Sequence, residues 1–225
     1  MEHKENMNVE STREAFDCGF KAWKAGEACQ RLRLALEATT IPGPITKIIA
    51  FANAGVSNEN DVWRNRSIMQ HALMLTLRDF IRGCVSEVEI KCFAQDPAYT
   101  EADRAVLQEV GITVLDDPRA FLEVDDQSVV MAFAPDIPVR QVVTDLARPA
   151  ILIWNTVHDS EADAFRYWST KLASPRPWVS LEHLEGHLCD PESSRVRDMI
   201  QKEYFPIVEL DESSFGNASV YIRRW

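Results

Sequence analysis

SVVMAFAPDIPVRQVVTDLARPAILIWNTV, residues 128–157, decides the fold. Its opening, SVVMAFAPD (128–136), is almost wholly apolar as far as Pro135, and so is its close, AILIWNTV (150–157). Between them VRQVVTDLA (139–147) reads as a helix. A strand with near-continuous apolar content is buried on both faces, and a helix between two such strands is the crossover that lets them lie parallel.

The same alternation runs back toward the N-terminus. ITKIIAFANAG (45–55) is a short apolar strand ending in small residues, and NRSIMQHALMLTLRDFIRG (65–83) is a helix closed by Gly83. VEIKCFAQD (88–96) is a second strand, stopped by Pro97; Thr100 then caps a helix over EADRAVLQEVG, and ITVLDD (112–117) is a third strand. Counted in chain order, this predicts an α/β fold: a Rossmann-like, doubly wound, mainly parallel five-stranded sheet in the order 3-2-1-4-5.

The flanks carry less pattern. Residues 1–10 read as a polar, disordered tail, and 11–39 as one long helix with a capping box from Ser11 to Glu14, ended by IPGP (41–44). The stretch 158–192, with Trp168, SPRP (174–177) and Trp178, reads as an irregular excursion. A helix near SSRVRDMIQKEYF (193–205) and a strand, ASVYIRRW (218–225), complete a single domain over 11–225 whose core is 45–157.

Composition sets the class. The 225 residues are 46% hydrophobic and 26% charged, as in a globular chain with a sizeable core. Lys plus Arg number 24 against 35 Asp plus Glu, a formal net charge of -11. Nucleic acid and anionic membrane surfaces both need a cationic partner, so neither is expected to bind. No apolar run reaches the roughly 18 residues of a membrane span. MEHKENMNVEST lacks the layout of a signal or transit peptide, and the five cysteines show no paired spacing, which suggests reduced thiols in the cytosol or nucleus.

Doubly wound sheets bind ligands beyond the carboxyl ends of their strands, where the strand order reverses. That rule selects Asn53, Ala54, Gly55 and Asn58 after strand one, Asp96 after strand two, Pro135 and Asp136 after strand four, and Asn155, Thr156 and His158 after strand five. Asn53, Asp96, Asp136 and Asn155 are expected to share one mouth, with a small molecule as the partner; nothing in the sequence names a protein partner.

Motifs add little. A dinucleotide or S-adenosylmethionine site wants several glycines after strand one, whereas FANAGVSN supplies only Gly55. Asp96 stands where an acidic residue often holds ribose hydroxyls, and equally starts a turn with Pro97. His183, His187 and Cys189 have metal-like spacing, but Gly186 interrupts the turn and no fourth ligand is near. Haem has no CxxCH motif, and no Gly-x-Ser-x-Gly elbow is present. Nucleotide, S-adenosylmethionine and haem thus stay open without a motif to choose among them. Cys92 lies within a buried strand and reads as inert.

The block from Asp96 through Pro97, Tyr99, Thr100, Asp103, Leu107, Gly111, Val114 and Leu115 resembles the SRR-like domain (sensitivity to red light reduced). QHALMLTL (70–77), VVMAFAPDIP (129–138) and AILIWNT (150–156) extend the similarity, and the Trp23 helix is similar to fungal members. The resemblance implies a Rossmann-like domain in a family linked to circadian and light signalling in plants, and to haem metabolism and cytoskeletal stability in other eukaryotes. Where the family tends toward a Pro-His-Cys-like stretch this chain has Pro135, Asp136 and Ile137, and Trp154, Asn155 and Thr156 replace the usual Gly-Asn-Ser. Three functions follow as expectations. The first is a regulatory or small-ligand-binding protein. The second is an enzyme of methyl transfer, isomerisation or cyclisation using Asp96, Asp136 or His158. The third is an interaction module docking through the aromatic 165–190 segment.

Overall fold

A computed structural model describes residues 7–84, 89–133, 135–173 and 189–224. The fold is mixed α/β, built on one sheet of seven strands. They are β1 (Lys47–Phe51), β2 (Lys91–Gln95), β3 (Ile112–Val114), β4 (Ser128–Ala132), β5 (Ile151–Asn155), β6 (Tyr204–Glu209) and β7 (Ala218–Arg223), in the order β3-β2-β1-β4-β5-β7-β6. The first five pair in parallel, whereas β7 runs antiparallel to both β5 and β6.

Period-two alternation divides the strand residues between two apolar layers. Ile48, Ala50, Val129, Met131, Ile151 and Ile153 face one layer; Ile49, Phe51, Val130, Ala132, Leu152 and Trp154 face the other. The first is covered by α1 (Val9–Ala25), α2 (Glu27–Glu37), α3 (Asp61–Cys84), α4 (Glu101–Glu109) and the short α9 (Glu212–Phe215). The second is covered by α5 (Arg119–Leu122), α6 (Val139–Leu146) and α8 (Ser194–Glu203). Helices on both faces explain why these strands are apolar throughout.

Several expectations change. The sheet has seven strands rather than five, because the C-terminal strand joins it as β7 beside β5 and YFPIVE (204–209) forms β6 beyond it. Pro206 is tolerated in β6 because that strand lies at the edge, where one side of the ladder needs no N–H. The N-terminal helix is two helices, broken at Gly26, whose backbone is extended (ψ 152°). Asn8 caps α1 through Ser11 N–H, so helix begins at Val9, inside the stretch read as a disordered tail. Part of the supposed irregular excursion is α7 (Glu161–Ala173). Trp178 and the Trp168 side chain lie outside the described residues.

No helix among the described residues is long and apolar enough to cross a membrane. Cys92 is buried in β2, and burial pushes its thiol up to about 11.

Candidate functional site: a crevice at the strand carboxyl ends

Strand β1 neighbours β2 on one side and β4 on the other, and the chain leaves β1 toward β2 but leaves β4 toward β5. The strand order therefore reverses between β1 and β4. A crevice of about 450 Å³ opens beside that point, within the usual range of small-molecule sites. Phe51, Ala52, Pro97, Leu115, Pro135, Ile137 and Val139 give it an apolar wall. Asp96, Asp116, Asp117, Asp136, Gln95 and Arg104 supply the polar groups.

The turn after β1 explains how one side of this crevice is held. Ala52 and Ala54 both adopt left-handed backbone (φ 57° and 55°), a conformation costing an alanine about 1 kcal/mol or more. Compensation comes from hydrogen bonds converging on the turn. Ala52 N–H donates to the Gln95 carbonyl, Ala54 N–H to Asp96 Oδ2 at 2.8 Å, and the Ser67 hydroxyl to the Ala54 carbonyl at 2.9 Å. Asn53, between the two alanines, is 1% exposed, and neither its Oδ1 nor its Nδ2 has a hydrogen-bond partner.

Asp103 closes the same turn from α4. Its carboxylate accepts from Ser57 N–H (2.7 Å), the Ser57 hydroxyl (3.0 Å), Thr100 N–H (2.7 Å) and the Thr100 hydroxyl (2.8 Å), and it is fully buried. Two of these donors, the Ser57 and Thr100 N–H groups, are backbone amides of the kind that hold anions at a strand tip or helix start. The chain has filled that cradle with its own side chain.

Asp96 sits at the crevice wall. Burial holds its carboxyl above the ordinary Asp range, with nearby Asp136 and Asp103 adding to the rise; the Ala98 and Ala54 N–H groups oppose it. Asp136 is exposed, and no hydrogen bond or ion pair engages it among the described residues. Arg104, the cation of the lining, is paired with Asp116 at 2.8 Å, and Gln95 bridges Asp117 Oδ1 and Ala120 N–H.

Beneath the turn a buried relay ties α3 to the β2–α4 loop. His71 Nδ1 donates to the Ser67 carbonyl at 2.7 Å, which leaves Nε2 to accept from the Tyr99 hydroxyl at 2.8 Å. Burial lowers the His71 pKa to about 4, so the ring is neutral at pH 7, and it drives the Tyr99 hydroxyl well above its usual value.

The residues predicted from sequence therefore separate. Asp96 and Asp136 line one crevice, and Ala54 joins it through its bond to Asp96. Gly55 lies against Asp103, and Asn58 accepts from Asn60 N–H in the following turn. Asn155, buried, and Thr156, bonded to Ser219, belong to the β5–β7 side. His158 is there too: its Nδ1 donates to Glu192 Oε1 at 2.6 Å, and its ring lies tilted against Tyr167, with centroids 5.0 Å apart. None of these three lines the crevice. His183 and His187 lie outside the described residues, Cys189 is exposed, and no metal-binding group of side chains exists among the described residues. Asp103, Ser57, Ser67, His71 and Arg104 were not singled out by the strand-tip rule. The Thr100–Asp103 spacing was the one available signal, since it completes a capping box.

Haem fits this crevice poorly. Its lining has no His, Cys, Met or Tyr to ligate iron, and four carboxylates would face the propionates.

What this geometry defines is an α/β protein with a ligand-sized crevice at the switch point of its sheet. A family model, the SRR1 domain, matches residues 40–222, from just after α2 into β7. The chain belongs to the SRR1 domain family. No curated protein matches it.

Proposed function

We propose that this SRR1-domain protein is a regulatory or small-ligand-binding protein that holds a small molecule in the crevice at the carboxyl ends of β1–β4. The carrying observation is the coincidence of a 450 Å³ cavity with the point where strand order reverses, in what we read as a Rossmann-like core. The strained turn supports the reading, because left-handed alanines are kept only where surroundings enforce them. Methyl-detected NMR of the full chain against a small-molecule library is the test. Shifts at Leu115, Ile137 and Val139 support the proposal; a library that moves methyls elsewhere and never these would end it.

A second reading is favoured by Asp96 alone. A carboxyl raised by burial beside a second carboxylate, Asp136, is suited to moving a proton, as in an isomerase or cyclase. His158 has no place in that reading, since it is held by Glu192 away from the crevice. A turnover found with any substrate should fall at least about 100-fold in Asp96→Asn. Turnover that survives Asp96→Asn together with Asp136→Asn removes the assignment of these carboxylates to the chemistry.

A further inference from the structure

Charge and donor supply at the crevice narrow the ligand class further, on the premise that the crevice is the binding site. Four carboxylates line it, Asp96, Asp116, Asp117 and Asp136, against one guanidinium, Arg104, which is already paired with Asp116. Concave, partly apolar walls strengthen such a field. Asp136 has no partner of its own among the described residues, and it lies next to Ile137 and Pro135 on the apolar wall.

Several of the backbone donors at these strand tips are also already used. A phosphate or carboxylate ligand at a strand tip is held by free backbone N–H groups. Here Ala52 N–H is bonded to Gln95, Ala54 and Ala98 N–H to Asp96, and Ser57 and Thr100 N–H to Asp103. Gly55, the one glycine of the turn, gives room to the Asp103 carboxylate rather than to a ligand. An anionic group would meet four negative side chains, and these five amides are already engaged.

We infer that the crevice takes an unphosphorylated, cationic small molecule: an ammonium group near Asp136 and Asp96, carried on an apolar body that lies along Leu115, Pro135, Ile137 and Val139. The apolar wall contributes burial, and the carboxylates select the charge. Nucleotides are disfavoured by their phosphates.

A matched probe series on the full chain tests this: 2-phenylethylamine, 2-phenylethanol and 3-phenylpropionate, with adenosine and AMP as a second pair. Affinities are read from the methyl shifts of Leu115, Ile137 and Val139 at low salt. The amine should bind about fivefold tighter than the alcohol and at least about 20-fold tighter than the carboxylate, and lose that margin in 0.5 M salt. Asp136→Asn, an exposed change that leaves the fold intact, should erase most of the amine's advantage while leaving the alcohol unchanged. An alcohol that equals the amine overturns the charge inference and keeps the crevice. A carboxylate or AMP that binds best overturns it outright. If none of the five moves the crevice methyls, the cationic-ligand inference falls, and the library screen alone decides whether the crevice binds anything.

Discussion

A methyl group placed on Gly55 would stand 2.7 Å from Asp103 Oδ2. The turn after β1 and the first residues of α4 are thus pressed together around one carboxylate, which serves both as the capping-box acid of the helix and as the anchor of the turn. The two crevice walls formed by β1 and β2 are locked to each other through this contact and through the Ala54–Asp96 bond.

Gly55→Ala should therefore destabilise the protein by about 2 kcal/mol, since Asp103 is held by four donors and cannot retreat. Asp103→Ala, which leaves those donors facing a buried void, should cost about 3 to 5 kcal/mol. Urea unfolding measures both. A Gly55→Ala variant as stable as the parent would mean the turn is not held as described.

Acidification should weaken the fold through His71. Its pKa is depressed from 6.5 to about 4, so the unfolded chain binds a proton that the folded one refuses. The contribution is complete above pH 6.5 and is lost as pH falls toward 4, amounting to roughly 3 kcal/mol. In His71→Leu combined with Tyr99→Phe, where neither hydrogen-bonding partner is left alone, this part of the pH dependence should vanish. Equal slopes between pH 4 and 6.5 in parent and double variant would refute the assignment.

Arg140 and Asp190 form an ion pair that is 3% and 2% exposed, joining the start of α6 to the approach to α8. Arg140 donates through Nε and its own backbone N–H to the Asp190 carboxylate, and through Nη2 to the Asp190 carbonyl. Arg140→Met should cost about 3 to 5 kcal/mol, because it strands a buried carboxylate. Adding Asp190→Leu should recover part of that loss. Thermal unfolding of the single and double variants decides it, and a double variant worse than the sum of the singles would contradict the pairing.

Thiol titration with an aromatic disulfide offers a simple check on the layers. Cys18, Cys84 and Cys189 are exposed and should react promptly in the native protein. Cys29 and Cys92 are buried, and Cys92 carries a thiol pushed to about 11, so these two should react only on unfolding.

The parallel strands were legible because β1, β4 and β5 are buried on both faces and carry that fact as unbroken apolar runs. β6 was not: its alternation is interrupted by Pro206, and its place in the sheet rests on pairing with β7, a relation no local pattern records. Asp96 and Asp136 followed from the strand-tip rule, which depends only on topology. His71 could not, since it reads locally as an ordinary helical residue; Asp103 was signalled only as the capping-box partner of Thr100, and the wider role of each appears only when α3 and α4 meet the β1 turn. Asn155 and His158 sit at the correct end of the correct strand, yet β7 packs beside β5 and turns that side into a separate polar cluster.

The two flanks of the sheet share a property that bears on how copies of this chain meet. β3 is only three residues long, and β6 carries Pro206 and a register slip before Val208. Neither border presents a straight run of free amides, so a stray strand from a neighbouring molecule finds no template on which to extend the ladder. Protection against fibril-like polymerisation is thus written into the outermost strands themselves.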